Sequence, residues 1–194
     1  MSSADPPANA EQLVELKVDS EAIFDGKLLH VRRDTVRLPD GTLATREYIV
    51  HPGAVLVVPV LADGRLVVER QYRYPLGRVM IEFPAGKIDP GEAPLDTARR
   101  ELREETGYLA LRWRRLGCVH SIVSYSTERI EFFVAEDLSQ VGARLDAGEF
   151  LEVAVLSVDE MLAAIDREEI TDAKTVAALL LYARRRAVSP AGSG

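Results

Sequence analysis

The sequence predicts an α/β chain built in layers, in the order sheet, helix, sheet, helix. Runs rich in β-branched and apolar residues fall on both sides of a single acidic segment with helical spacing. The longest, Ala54 to Leu61, is continuously apolar, which fits a strand buried on both faces. Near the end, Val158 to Arg167 and Asp172 to Arg186 space their apolar residues by three and four, the second with Val176, Leu179, Leu180 and Ala183, and read as helices.

Taken in order, residues 1–10 and 188–194 are small, polar and rich in Pro and Gly, and read as disordered tails. Lys27 to Val36 and Thr45 to Val50 read as strands, with Pro39-Asp40-Gly41 as the turn between them. Residues 11–50 are therefore expected to form a small N-terminal antiparallel sheet, ahead of a main domain over 51–187. His51-Pro52-Gly53 breaks the chain before the Ala54 strand. Asp63-Gly64 is a two-residue hairpin signal, and Arg65 to Tyr72 is expected to return as the partner strand in a mixed or antiparallel central sheet. Ile81 to Pro84, Leu111 to Val119, Arg129 to Glu136 and Phe150 to Leu156 supply further strands. At 194 residues the chain is one ordinary domain, or one with a small appendage, and no repeat or low-complexity linker divides it.

The acidic segment organises the rest. It reads GKIDPGEAPLDTARRELREETGY from Gly86 to Tyr108: a glycine, five residues, Glu92, seven residues, then Arg100, Glu101, Leu102, any residue, Glu104, Glu105, any residue, Gly107 and Tyr108. Pro94 suits a first helical turn and Gly107 the position just beyond the last. Leu95, Ala98 and Leu102 make one apolar stripe, with Glu101, Glu104 and Glu105 on its flank. Glu101 and Glu105 are one turn apart and repel, a local cost that a cation would offset. Carboxylates with no Cys or His beside them are hard oxygen donors, which favours Mg²⁺ or Mn²⁺ over zinc. A Glu-rich surface helix is common by itself, but at roughly 5 to 7% usage per residue type the whole pattern arises on the order of once in 10⁹ at a given start.

Gly86, Glu92, Arg100, Glu101, Leu102, Glu104, Glu105, Gly107 and Tyr108 match the signature box of the Nudix hydrolases, and the chain resembles that family over roughly residues 45 to 185. The resemblance implies an α/β/α sandwich with a mixed sheet and the cleavage of a nucleoside diphosphate linked to another group. REYIVHPGAV at Arg46, QYRYP at Gln71, EFPAG at Glu82 and ITDAKT at Ile170 are similar to the ADP-ribose pyrophosphatase branch. That branch implies ADP-ribose as substrate, with AMP and ribose 5-phosphate as products, and a homodimer in which the N-terminal sheet of one subunit completes the other's pocket.

Hydrolysing a pyrophosphate needs a metal, a base and donors for developing charge. By position in the box, Glu101, Glu104 and Glu105 would hold Mg²⁺, and the resemblance adds the backbone carbonyl of Ala85. Arg100 is expected to orient a glutamate, and Glu92 to be peripheral, fixing the loop or reaching the metal through water. Arg73 resembles the position that grips phosphate or ribose, a task suited to a bidentate guanidinium. Arg46, Tyr125 and Glu128 are further candidate substrate contacts. Glu82 is expected to pair with an arginine. The general base would come from the loop Leu138 to Glu149, as Glu149, or from Glu152, or from a box glutamate. One departure bears on the sugar: Ile122-Val123-Ser124-Tyr125-Ser126 lacks the proline and glycine that the branch commonly shows there.

A formal net charge of −7 argues against general affinity for nucleic acid or an anionic membrane, so the expected substrate is small. Cys118 is the single cysteine, so no intrachain disulfide forms, and with no basic-then-apolar leader or membrane-length apolar run the expectation is a cytoplasmic protein. Two alternatives stand beside ADP-ribose: another nucleotide sugar such as GDP-mannose, or a non-catalytic nucleotide-binding regulatory module. No metal pattern links His30, His51 and His120.

Overall fold

Pro52 and Gly53 interrupt the run of strand-forming residues, and the chain divides there. In the computed structural model, which describes residues 10–143 and 150–188, one unit takes in the chain up to His51 together with Ile122–Glu128, and the other takes in the rest.

The first unit is a three-stranded antiparallel sheet, β1 (Leu16–Asp25), β2 (His30–Arg37) and β3 (Leu43–Val50), in the order β1-β2-β3. The β2–β3 hairpin closes where Pro39-Asp40-Gly41 predicts it, with Leu38 N–H donating to Thr42 O at 2.8 Å and Thr42 N–H to Asp40 Oδ1 at 2.9 Å. Two expectations are corrected. Lys27 and Leu28 lie in the turn into β2 instead of in the strand, and a first strand, β1, precedes it. Register shifts at Lys17/Asp19 and Ala22/Phe24 interrupt its pairing with β2. Residues 122–128, expected to belong to the main domain, lace onto β3: Ile49 N–H donates to Tyr125 O at 2.9 Å and Thr127 N–H to Ile49 O at 3.0 Å.

The second unit runs β4 (Ala54–Pro59), β5 (Leu66–Arg73), β6 (Arg78–Glu82), β7 (Ala85–Lys87), α1 (Pro94–Thr106), β8 (Tyr108–His120), β9 (Arg129–Gln140), β10 (Leu151–Leu156), α2 (Val158–Asp166) and α3 (Ala173–Val188). Its sheets have the orders β7-β4-β9-β8 and β10-β5-β6. In the first, β4 and β9 are parallel and the other pairs antiparallel, so the sheet is mixed.

Strand β4 is central, and its unbroken apolar run has a direct cause. Val55 and Val57 pack with Ala98 and Leu102 of α1 on one face, while Leu56 and Val58 pack with Leu66, Val68, Phe83, Met161 and Leu179 on the other. Residues Val55 to Val58 are fully buried. The layers are thus α1, the mixed sheet, and a second layer of β5, β6, β10, α2 and α3. The expected hairpin pairing of β4 with β5 is corrected: the Asp63-Gly64 turn is present, but past a single Val60–Leu66 bridge the strands part, β4 to β7 and β9, β5 to β6 and β10. The expected late loop also starts further on, because β9 continues to Gln140, pairing Leu138 with Ala110. Among the described residues no helix is long and apolar enough to cross a membrane.

Candidate active site

The ends of α1 are set by residues that cannot extend it. Pro94 occupies the first helical position, and Gly107 caps the other end at φ 73° with its N–H on Arg103 O. Any side chain at Gly107 would clash, since a Cβ would stand 2.4 Å from Ala143 N.

Between these ends the glutamates face the backbone of β7. Ala85 N–H donates to Glu105 Oε2 at 3.0 Å, and Glu105 is buried. Glu101 lies directly over Gly86, where a Cβ would be 1.8 Å from its Oε1. Register with β4, Leu56 to Ala85 and Val55 to Gly86, fixes this backbone against the core.

Arg100 clamps the cluster from the other side. Its Nη1 donates to Glu101 Oε1 at 2.8 Å and to Glu104 Oε2 at 3.1 Å, while Nε and Nη2 fork onto Glu92 at 3.2 and 3.0 Å. Thr97 Oγ1 adds a bond to Glu92 at 2.8 Å, so Glu92 closes the loop onto the helix. The Arg100 bond, then that from Thr97, lowers the Glu92 carboxyl to a pKa of about 2, and the bond to Glu92 raises Arg100 above its ordinary value. A carboxyl depressed in the folded state contributes stability that is present above its unfolded pKa and is lost as pH falls through the folded one. Urea denaturation should therefore show stability falling from about pH 4.5 toward about pH 2, with Glu92→Gln flattening that slope; an unchanged slope would count against the clamp.

The donor set is all oxygen, and the missing Cβ of Gly86 leaves a cradle that the Glu101 carboxylate fills. Oxygen donors of this type are the kind a hard divalent cation takes. With the side chains as they stand, Arg100 supplies the positive charge between Glu101 and Glu104. Among the described residues no three His, Cys, Asp or Glu side chains gather closely enough to hold a metal ion.

A second charged group was only partly visible in the sequence. Arg73 forks onto Glu82 at 2.6 and 2.9 Å, and Lys174 bonds both Glu82 and, at 2.9 Å, Asp172. Thr175 Oγ1 accepts from Phe83 N–H at 3.1 Å, tying the start of α3 to the end of β6. Burial raises the Glu82 carboxyl, but Arg73 and Lys174 outweigh it and hold the group below its ordinary value. Glu69, fully buried, is the cross-strand partner of Glu82, and after the Glu82 bond both Glu69 and Glu105 strengthen the charge on Arg73. Nothing local in the sequence marks Lys174, whereas Glu69, a carboxylate inside the apolar run of β5, is a readable signal. Lys174→Met should cost about 2 kcal/mol of stability in chemical denaturation, discounted from a fully buried pair because the lysine is partly exposed. A loss within error would mean that Arg73 alone satisfies Glu82.

In the first unit, Arg46 forks onto Glu15 at 2.9 and 2.5 Å, and with Tyr125 it lines a cavity of about 360 Å³. Glu128 stands 3.6 Å from His51 Nε2. Glu149 lies outside the described residues. Glu152 is exposed on β10, 3.5 Å from Arg70.

The core is α/β, and a loop and helix set Glu101 and Glu105 against the backbone of β7. The chain belongs to the Nudix family: the family model described as NUDIX domain matches residues 50–179, and that described as nucleoside diphosphate sugar hydrolase N-terminal domain matches 15–49. An ADP-ribose pyrophosphatase of Bacillus subtilis (strain 168) is 37% identical over 171 residues, 87% of this chain and 92% of that protein. A methanol dehydrogenase activator of Bacillus methanolicus is 39% identical over 167 residues, 85% of this chain and 90% of that one. The crystal structure of an ADP compounds hydrolase matches with a TM-score of 0.81 at 25% identity, covering 90% of this chain and 95% of that chain.

Proposed function

We propose that this chain is a Mg²⁺-dependent pyrophosphohydrolase that splits ADP-ribose into AMP and ribose 5-phosphate. The observation that carries the reading is the glutamate set held against β7 by Ala85, Gly86 and Arg100. The likeness along nearly the whole chain to an ADP-ribose pyrophosphatase directs it to that substrate. Glu101, Glu104 and Glu105, with the carbonyl of Ala85, hold the cation, which supplies charge neutralisation at the phosphates and a more acidic bound water. Arg100 holds Glu101 and Glu104 in place. Glu104, the most exposed of the three at 32% of its side chain, is placed to accept a proton, a role it shares as candidate with Glu149. Arg73 is a substrate contact in this reading, and reaches it through its remaining nitrogen, Nη1.

The reading includes a cytoplasmic homodimer formed through the N-terminal sheet. Leu16, Val18, Phe24, Leu28 and Leu43 are more than half exposed there, a large apolar area for one small sheet. Light scattering at micromolar concentration should give twice the chain mass, and Phe24→Glu should shift it toward the monomer; a wild-type monomer would sink this part. A panel of ADP-ribose, GDP-mannose and other nucleoside diphosphate sugars tests the substrate. ADP-ribose should have the highest kcat/KM, and a higher value for GDP-mannose would move the assignment to that sugar.

A further inference from the structure

The other end of the mixed sheet carries a cavity of about 860 Å³ that the proposed reaction does not use. From Leu56 of β4, which pairs with Ala85, the chain reaches Val60, just past the strand's end and at the cavity wall, about 13 Å further along at strand rise. Arg112 and Arg114 come from alternate positions of one face of β8, and Tyr182, Arg185 and Arg186 from one side of the end of α3. Glu136 and Asp137 of β9 complete its charged lining, so four guanidiniums face two carboxylates. In a chain of formal net charge −7, this excess of positive charge is local.

The charges are unevenly engaged. Asp137 is taken by Arg112, Nε to Oδ2 at 2.5 Å and Nη2 to Oδ1 at 3.1 Å. Arg114 lies over the Tyr182 ring, 5.9 Å from its centroid. Arg186 reaches toward the β4–β5 turn at Gly64, where the neighbouring Asp63 already pairs with Arg65 at 2.7 Å. Among the described residues no carboxylate forms an ion pair with Arg114, Arg185 or Arg186. Planar guanidiniums lining one cavity match the oxygens of a phosphate group.

We infer that this cavity is a second anion site, separate from the glutamate cluster, that binds a small phosphorylated anion of the pyrophosphate or nucleotide class. Its ligand needs no metal, because the arginines supply the charge. The site stands whether or not ADP-ribose is the substrate.

The test is titration of the full chain with inorganic pyrophosphate in metal-free buffer at low salt, following the arginine Nε–H signals by NMR. Saturable shifts of Arg114, Arg185 and Arg186 are expected, and Arg185→Glu with Arg186→Glu, both exposed, should weaken binding by roughly tenfold or more. A charge-matched control, Arg184→Glu with Lys27→Glu, also exposed, should bind as the parent does. Absence of saturable shifts at these arginines would overturn the site and leave Arg185 and Arg186 as partners of the helix end only. So would equal weakening in the control, which would make the attraction a matter of net charge. Because the NMR arm uses the unaltered chain, the inference is tested even if the double variant fails to fold.

Discussion

Replacing Glu105 by Gln should lower kcat on ADP-ribose by about 10³-fold or more while leaving the fold intact. Glu105 is buried at 6% exposure, and its Oε2 already accepts the Ala85 N–H. Glutamine has the same shape and can keep that bond through its carbonyl oxygen, so what is removed is the negative charge. Removing it relieves repulsion from Glu101 one helical turn away and gives up the attraction to Arg73, so thermal stability should change little. Catalysis and stability therefore move independently, which an account of Glu105 as a structural residue does not allow. Steady-state AMP release with saturating Mg²⁺, alongside a melting curve, reads both. Activity within tenfold of the parent would remove Glu105 from the metal site.

Gly86→Ala is the second large effect, and it acts without touching a charged residue. A Cβ at position 86 would stand 1.8 Å from Glu101 Oε1 and 2.0 Å from its Cδ. Position 86 does not have a positive φ, so alanine suits the backbone there. What must move is the flexible end of Glu101, which swings out of its cradle and away from Arg100. We expect kcat/KM to fall about 10²-fold, with a stability loss of about 1 to 3 kcal/mol at most. Combining Gly86→Ala with Glu101→Gln should be little worse than the worse single change, because both act through the same carboxylate. Fully multiplicative losses would mean that Gly86 serves something other than Glu101.

Both predictions rest on a helix whose place was legible in the chain itself. Pro94 and Gly107 mark its ends by what each cannot do, and the Glu101–Glu105 repulsion makes sense only against a cation or an arginine clamp. Strand β4 was legible because burial on both faces leaves no polar position to alternate. What escaped were choices of partner made far along the chain. β4 takes Ile130 to Ala135 of β9 as its parallel neighbour, and no local pattern near Asp63-Gly64 announces that β5 will leave for another sheet. The bond from Lys174 to Glu82 spans 92 residues, so two ordinary charges become a buried network only once α3 folds onto β6. The placement of residues 122–128 on β3, which brings Tyr125 to the cavity shared with Arg46, likewise depends on backbone bonds between distant segments.

The most direct measurement is product analysis of ADP-ribose incubated with the purified chain and Mg²⁺. AMP and ribose 5-phosphate should appear in equal amounts, stop on chelation of the metal, and fall to near background with Glu105→Gln. Intact ADP-ribose, or AMP release that persists undiminished in Glu105→Gln, would contradict the account.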